Sequence, residues 1–303
     1  MVDKYPNISV IIPCLNGKKV IGNLIKSIEK QKYSGKIEII VTDDGSTDGT
    51  SNFIKSHYKS VKLITFGKNR GSAPALNAAA KLARFEFLLA TNDDVIFDKK
   101  AFFELINCAK SQQNVGITTG KMLDTSGRFA IPGFRINHYL GYHPYDLKDK
   151  NKIRECHWAA GACIFIRKNL LLKLGNFDPD YIFCGEDYDI SFRVKKAGYK
   201  ILYTPDAVFT HNFRRSGQKI QNYTDLFAHY RGKTRYIFKN CTSLQILSFL
   251  FIQYIIVGVW YLLNIRLKTI AAMYQGFAWN ILKLPLTLSS RVRTEKITQR
   301  LKL

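Results

Sequence analysis

Short apolar runs alternate with segments of helical spacing along the first ninety positions of the chain. Four such runs, each rich in Ile, Val, Leu or Phe, are ISVIIPCLN (8–16), IEIIVTD (37–43), VKLITF (61–66) and FEFLLAT (85–91). Between them, residues 18–32 place apolar side chains at helical spacing, and residues 72–84 are rich in alanine. This alternation predicts βαβ units and an α/β fold, with a mostly parallel sheet flanked by helices.

The pattern is less regular between the fourth run and residue 240. Residues 124–155 are rich in Gly, Tyr, Arg and His and show little periodicity, which indicates a functional loop. Residues 158–175 predict a strand followed by a helix, and residues 185–198 predict a helix with an acidic first turn. We therefore expect one Rossmann-like α/β domain over residues 1–240.

A second unit is predicted over residues 241–303, where long apolar stretches begin. Residues 244–263 contain no charge, and 20 such residues are about the length that crosses a bilayer. A second stretch, 269–288, is interrupted only by Lys283. We interpret residues 241–303 as a helical, membrane-associating extension that contacts the membrane surface through residues 244–288.

The charges beside these stretches bear on how they meet the membrane. Both flanks of residues 244–263 are basic, which conflicts with a single span under the positive-inside rule. A spanning hairpin would place Arg266 and Lys268 on the far side, so helices lying in the interface are favoured. A hairpin and a soluble helical subdomain, which could form a homodimer, stay open alternatives.

The net charge narrows the choice of partners. The chain carries +23, and from residue 212 onward 15 Lys and Arg oppose only 2 Asp and Glu. Such a surface suits anionic lipid or nucleic acid. Nucleic acid is disfavoured for two reasons. The acidic clusters would repel its phosphates in the absence of a metal, and the C-terminal part of the chain is apolar.

The cysteines and the first residues of the chain indicate the cellular compartment in which the protein resides. The six cysteines are scattered without a CxxC pair, which is typical of free thiols in a reducing compartment. The opening MVDKYPNISVIIP has no long apolar core of a signal peptide. We expect the protein at the cytoplasmic face of the cell membrane, peripheral or monotopic.

Three acidic clusters follow predicted strands or begin a predicted helix. They are Asp43-Asp44, Asn92-Asp93-Asp94 and Glu186-Asp187. Each alone is compatible with a turn, a solvated loop or a helix cap. Carboxylates gathered in one cleft repel each other, and their oxygen atoms suit Mg²⁺ or Mn²⁺. Because parallel strands bring their carboxyl ends to one edge, we predict a divalent metal beside a diphosphate there.

Five motifs in order carry a resemblance to a known family. They are VIIPCLNGKKVIGNLIKSI, IIVTDDGSTDGT, KNRGSAPALNAA, LLATNDDV and GEDYDISFRVKKAGYKI. Over about residues 6–240 the chain resembles a family 2 glycosyltransferase of the GT-A fold. Its later part, from GACIFIRKN to His211, resembles the rhamnosyltransferase and galactofuranosyltransferase branch.

The resemblance implies a donor site for a nucleotide-diphosphate sugar, with a UDP- or dTDP-sugar expected. It implies nucleotide-sugar contacts at Pro13, Asn16, Asp43, Asp44, Asn69, Arg70, Asn92 and Asp93. It also implies that Asp94 and His211 hold the divalent metal, although an ordinary strand-end histidine stays an alternative for His211. The chain departs from the family's DXD pattern at its first position, where Asn92 replaces aspartate.

On the acceptor side, the resemblance implies an inverting transfer with Asp187 as general base. Glu186 and Asp189 would either orient Asp187 or meet acceptor hydroxyls. Trp158 and Gly161 would form the acceptor-side wall, although Trp158 could instead be a core residue. Arg214 and Arg215 could clamp phosphate or be solvated. The expected acceptor is a polysaccharide or polyprenyl-linked glycan. A catalytically silent relative that binds a glycan or a partner is the alternative.

Overall fold

The computed structural model describes residues 5–130, 137–140, 150–213 and 222–302. Within these residues nine strands form one sheet in the order β3-β2-β1-β4-β8-β6-β9-β5, with β7 paired to β9. The strands are β1 Ile8–Cys14, β2 Ile37–Asp43, β3 Lys62–Thr65, β4 Phe87–Ala90, β5 Val95–Phe97, β6 Val115–Leu123, β7 Arg154–Glu155, β8 Ile164–Arg167 and β9 Lys200–His211.

The first four strands are parallel, as the alternation of apolar runs and helices predicts. Strand β1 pairs in parallel with β2 and β4, and β2 pairs in parallel with β3. Beyond β4 the sheet is mixed, because β8 is antiparallel to β4 and β6, while β6 and β9 are again parallel. The α/β fold is confirmed, with parallel pairing among β1 to β4 and again between β6 and β9.

Helices cover both faces of the sheet. They are α1 Ile21–Glu29, α2 Thr50–His57, α3 Ser72–Leu82, α4 Ala101–Lys110, α5 Lys168–Lys173, α6 Glu186–Lys196 and α7 Tyr223–Asn240. Side chains of β1 alternate between the faces: Val10 and Ile12 pack with α1 and α4, and Ile11 packs with α3 and α6. The sheet is therefore buried on both sides.

The chain ends in a C-terminal helical layer, which we define as residues 243–301. It comprises α8 Ser243–Leu250, a π-helical segment Phe251–Ile256, α9 Val257–Leu263, α10 Leu267–Leu282 and α11 Leu284–Leu301. Phe249, Tyr254, Ala272 and Met273 belong to the same buried cluster as the face of the sheet that α3 and α6 cover. The layer therefore shares its core with the α/β part, and the proposed division at residue 240 stays a prediction.

The outward face of this layer is apolar. Leu263, Ile265 and Leu282 are 77–80% exposed, and Trp260 is 53% exposed. Among the described residues, the continuous stretch Ser243–Leu263 is the one helix long and apolar enough to cross a membrane, by length and composition only. Residues 269–288 do not form a second such helix, because they are divided between α10 and α11.

Candidate active site

A cavity of about 510 Å³ lies beyond the carboxyl ends of β1, β2 and β4. Acidic residues from all three predicted clusters line it: Asp44, Asp93 and Asp94 beside Asn92, and the pair Glu186-Asp187. Pro13, Asn69, Trp158, Gly161 and His211 also line it. The topology therefore brings together residues that lie far apart in the sequence, as expected at the carboxyl edge of an open sheet.

Asp44 organises one wall of the cavity. Its side chain is only 4% exposed. Its carboxylate accepts the backbone N–H groups of Arg70 at 2.7 Å and Gly71 at 2.8 Å. Gly71 has φ +101°, and a Cβ there would lie 2.4 Å from the backbone of Ile182, so the loop requires glycine. Asp44 thereby fixes residues 69–71 beside the cavity.

Three other predicted nucleotide contacts do not line the cavity. Asp43 is the last residue of β2, and its carboxylate accepts the N–H of Ser46 at 2.9 Å. Asn16 accepts the N–H of Thr47 at 2.8 Å, and the Arg70 guanidinium lies 4.6 Å from the Phe66 ring. Successive residues at a strand end face opposite sides, which explains why Asp43 and Asp44 differ. These three shape the surrounding loops.

The segment after β4 meets the end of β9. Asp94 Oδ1 lies 3.1 Å from Nε2 of His211, and the Asn92 amide lies 3.3 Å from the same nitrogen. Antiparallel pairing of Val95 with His211 sets this approach. Asp93 also lines the cavity, and its carboxylate accepts a hydrogen bond from the thiol of Cys14 at 3.2 Å. The cluster therefore offers Asp94, His211 and the Asn92 amide to a common point.

These side chains fit a divalent cation. Two cis ligands at about 2.1 Å from an octahedral ion lie about 3.0 Å apart, close to the 3.1 Å between Asp94 and His211. Rotation of the Asn92 amide would present its oxygen instead of its nitrogen. Among the described residues no three His, Cys, Asp or Glu side chains gather around one point. The protein thus supplies few ligands, which suits an ion that also binds phosphates and water.

Glu186 and Asp187 begin α6 and face the cavity. Asp187 accepts the N–H of Gly161 at 3.1 Å through Oδ2 and that of Tyr188 at 2.9 Å through Oδ1. Glu186 accepts the hydroxyl of Ser72 at 2.7 Å. Burial raises the pKa of Asp187 to about 6. Burial and the neighbouring Asp187 charge raise the pKa of Glu186 to about 7, so the pair holds a proton near neutral pH.

The predicted acceptor residues divide into two groups. Trp158 and Gly161 line the cavity, with the Trp158 ring 4.4 Å from that of Tyr188. Asp189 does not line it: this residue is fully buried and pairs with Arg193 at 2.8 Å and Lys239 at 2.8 Å. Two residues along a helix turn about 200°, so Asp187 and Asp189 face different sides. Arg214 and Arg215 lie outside the described residues.

One wall of the cavity was not predicted. The first two turns of α7 contribute Thr224, Asp225, Ala228 and His229. Asp225 and His229 are four residues apart, so they lie on one face of the helix. None of the sequence motifs predicts a role for this helix. The i, i+4 placement of two polar residues at the start of an otherwise buried helix was the available signal.

Comparison with known proteins decides the family. The chain matches the model for Glycosyl transferase family 2 over residues 9–175, more than half of its 303 residues. It belongs to glycosyl transferase family 2. This membership confirms the family inferred from the five motifs and the prediction of a glycosyltransferase enzyme. The rhamnosyltransferase and galactofuranosyltransferase branch stays a prediction.

Curated relatives of this family 2 member are polysaccharide synthases. The chain is 25% identical over 209 residues to a poly-beta-1,6-N-acetyl-D-glucosamine synthase of Staphylococcus aureus, covering 68% of this chain and 50% of that protein. It is 26% identical over 203 residues to the Staphylococcus epidermidis synthase, covering 66% and 48%. The chain thus spans about half the length of the curated relatives it matches.

Solved structures share the fold of this family 2 glycosyltransferase. TarS residues 1–349 of S. aureus, in complex with UDP, gives a TM-score of 0.56 at 17% identity, covering 98% of this chain and 90% of that one. Mannosyltransferase PcManGT of Pyrobaculum calidifontis, in complex with GDP-Man and Mn²⁺, gives 0.56 at 18% identity, covering 99% and 87%. These likenesses support the GT-A fold, including the helical layer.

Proposed function

We propose that this protein is an inverting glycosyltransferase that moves a sugar from a nucleotide-diphosphate sugar to a hydroxyl group of a glycan. One observation carries the proposal: a single cavity contains Asp44, the Asp94–His211 pair and the Glu186-Asp187 pair. Family membership supports the reaction class. The three groups correspond to the nucleotide end, the diphosphate and the acceptor hydroxyl of such a reaction.

The donor binds along the wall that Asp44 fixes. Pro13 and Asn69 line this part of the cavity, and the Asp44 carboxylate holds the loop that follows β3. The diphosphate lies toward Asp94, His211 and Asn92, which would hold a Mg²⁺ or Mn²⁺ ion. When bound, that ion neutralises charge on the departing nucleoside diphosphate.

Asp187 acts as the general base. Its two backbone hydrogen bonds orient the carboxylate at the start of α6, and its raised pKa keeps it basic enough to accept a proton near neutral pH. The acceptor hydroxyl gives its proton to Asp187 as its oxygen attacks the anomeric carbon from the face opposite the nucleotide. The configuration at that carbon is inverted. Glu186, held by Ser72, keeps the neighbouring surface polar.

The acceptor lies between Trp158 and the start of α7. The Trp158 ring offers an apolar surface to a sugar face, and Asp225 and His229 offer hydrogen-bonding groups. The curated relatives are named for a poly-N-acetylglucosamine product, which supports a polysaccharide or lipid-linked glycan as the acceptor class. UDP in one structural relative and GDP-mannose in another set the donors to screen, with UDP- and dTDP-sugars preferred.

The helical layer attaches the enzyme to the cytoplasmic face of a membrane. Its exposed apolar side chains lie beside the exposed cations Arg266, Lys268 and Lys283, a combination that suits an anionic lipid surface. In-plane attachment is supported by α10, which buries Ala272, Met273 and Gly276 on its α7-facing side.

A vesicle flotation assay tests the attachment. The protein should float with vesicles that contain anionic lipid, and Trp260→Glu with Leu263→Glu should abolish flotation. Leu82→Glu is the control and should float normally, because Leu82 is also exposed, at 45%, but lies on α3. Release of the native protein by a carbonate wash is expected for in-plane binding, and retention would contradict it.

A donor screen tests the reaction itself. We expect one nucleotide-sugar to raise the melting temperature only with Mn²⁺ or Mg²⁺, because a ligand that binds the folded state stabilises it. The same donor should be consumed in the presence of membrane-extracted glycan acceptors. Binding without any hydrolysis or transfer across the panel would favour the alternative, a catalytically silent relative that binds a glycan or a partner.

A further inference from the structure

The last helices of the chain are linked to Glu186 and Asp187 by contacts that run through α7. Helix α10 crosses α7 at Gly276, where a Cβ would lie only 2.9 Å from the backbone nitrogen of Arg231 and 3.2 Å from the carbonyl carbon of Tyr230. Only glycine permits this approach without a shift of one backbone. The backbones of α10 and α7 are therefore in direct contact.

The opposite side of α7 contacts the turn that carries the catalytic acids. A Cβ on Gly232 would lie 2.2 Å from the carbonyl oxygen of Cys184. Cys184 and Gly185 both have positive φ, at +63° and +106°, and Glu186 and Asp187 follow immediately. The turn has little freedom of its own, because such backbone angles are sparsely populated for a residue with a side chain. Its position is set by α7.

A buried ionic cluster joins the same elements and includes the last helix. The guanidinium of Arg235 on α7 donates to Thr287 Oγ1 on α11 at 2.8 Å and to Asp178 at 3.1 Å. Ser290 on α11 also donates to Asp178, at 3.0 Å. Lys239 on α7 contacts Asp178 at 2.7 Å and Asp189 on α6 at 2.8 Å. Helices α6 and α7 thus contribute charges to this cluster, and α11 contributes two hydroxyl groups that bond to it.

The cluster is electrically balanced. Its acids are Asp178, Asp180 and Asp189, and its bases are Arg193, Arg235 and Lys239. Buried charges that lose a partner are costly, so the network is stable in one arrangement and resists small displacements. A shift of α11 would therefore act directly on Asp178 and Arg235. Through Lys239 it would reach Asp189, which lies in the same helical turn as Asp187.

We propose that Gly232 and the Arg235–Thr287 contact are positioning elements, through which the C-terminal helical layer sets the geometry of Glu186 and Asp187. The catalytic consequence of this inference rests on the proposed function. The structural link between the helical layer and the turn before Glu186 does not depend on that function. The layer would then position the two carboxylates through these contacts, in addition to attaching the protein to a membrane. Conversely, a bilayer that shifts α10 or α11 would alter the rate of transfer on the enzyme.

Gly232→Ala tests the first contact. Ordinary C···O contacts lie at about 3.3 Å, so a Cβ at 2.2 Å from the Cys184 oxygen requires a displacement of the turn by about 1 Å. Such a misplacement costs about 10²-fold in kcat, with the KM for the donor unchanged within about threefold. Gly258→Ala is the matched control, since its Cβ would meet only side-chain ends of Tyr274 and Met273 at 3.1 and 3.3 Å.

Thr287→Val tests the second contact from a residue on the last helix. It removes the acceptor of the Arg235 N–H while keeping the side-chain shape, and kcat should fall several-fold with unchanged donor KM. Thr287→Ser restores the hydroxyl and should restore kcat. Thr298→Val is the control, because Thr298 is equally buried on α11 but bonds only within its own helix, to Thr294 at 2.9 Å.

Hydrogen–deuterium exchange of peptides that cover residues 182–192 separates this inference from the proposed function. Exchange should rise in Gly232→Ala and Thr287→Val, and should match the parent protein in Gly258→Ala and Thr298→Val. This readout requires no turnover, so it holds even if no donor is found. Unchanged exchange in both test variants, or a loss confined to KM, would overturn the positioning role.

Discussion

Replacing Asp187 with Asn tests the catalytic assignment most sharply, because it removes the basic oxygen and keeps the side-chain shape. The carboxylate accepts two backbone N–H groups, from Gly161 at 3.1 Å and Tyr188 at 2.9 Å. An amide offers one oxygen, so one N–H faces an NH₂ group, at a cost of about 1–3 kcal/mol where water cannot compensate. The protein should still fold and bind donor.

The rate effect follows from the role. General base catalysis contributes about 10²- to 10⁴-fold, so we expect kcat to fall by about 10³ at pH 8. In the parent enzyme, kcat should also fall about tenfold per pH unit below the pKa of about 6, because the protonated carboxyl cannot accept a proton. That acid limb should disappear from the residual activity of the Asn variant.

The assay is release of nucleoside diphosphate, with stopped samples across pH 5–9, together with calorimetric titration of the donor. Glu186→Gln is the matched control: it neutralises the adjacent acid, whose carboxylate bonds Ser72, and should keep kcat within about tenfold because it does not accept the proton. Near-normal turnover of Asp187→Asn would refute the base assignment. A large loss restricted to Glu186→Gln would transfer the role to Glu186.

Three further predictions follow from the site and its support. Asp94→Asn should abolish the Mn²⁺-dependent part of the thermal stabilisation by nucleotide and leave the melting temperature of the free protein within a few degrees, and an unchanged Mn²⁺ effect would contradict the ligand assignment. Lys239→Met should lower the free energy of unfolding by about 3–5 kcal/mol, measured by urea denaturation, because it leaves Asp178 and Asp189 buried with too little positive charge; a change below 1 kcal/mol would show that the cluster is solvated. Burial raises the pKa of Asp187 in the folded state above its unfolded value, so ionisation of Asp187 lowers the free energy of unfolding as pH rises from about 4 to 7. The Asp187→Asn variant lacks this ionisation. Its free energy of unfolding, relative to that of the parent protein, should therefore increase by about 1 kcal/mol between pH 5 and pH 8, after allowance for solvent at this half-buried group.

The parallel half of the sheet was predictable from sequence because local pattern determines it. Runs such as residues 8–16 and 37–43 are short and apolar, and a helical segment between two such strands enforces parallel pairing. Strand β8 is different. It follows the irregular segment 124–155, and nothing local fixes its direction, so its antiparallel pairing with β4 and β6 depends on tertiary packing.

The sequence motifs predicted which segments form the candidate site. They did not predict the direction in which each side chain points. Asp43 and Asp44 differ because neighbours at a strand end face opposite sides. Asp187 and Asp189 differ because two helical residues turn about 200°. Both differences follow from simple geometry. The wall formed by α7 could not be predicted in this way, because its approach to the cavity depends on Gly232 lying against the Cys184 carbonyl, a contact between residues 48 positions apart.

Anomalous diffraction from crystals grown with Mn²⁺ and the nucleoside diphosphate that best stabilises the protein tests the proposed donor and metal site most directly. We expect a manganese peak within bonding distance of Asp94 and His211. We also expect the nucleotide to lie along the wall that Asp44 fixes, with its terminal phosphate at the metal and Asp187 across the cavity. A nucleotide bound elsewhere on the protein, or no manganese beside Asp94 while nucleotide occupies the cavity, would contradict the proposed site.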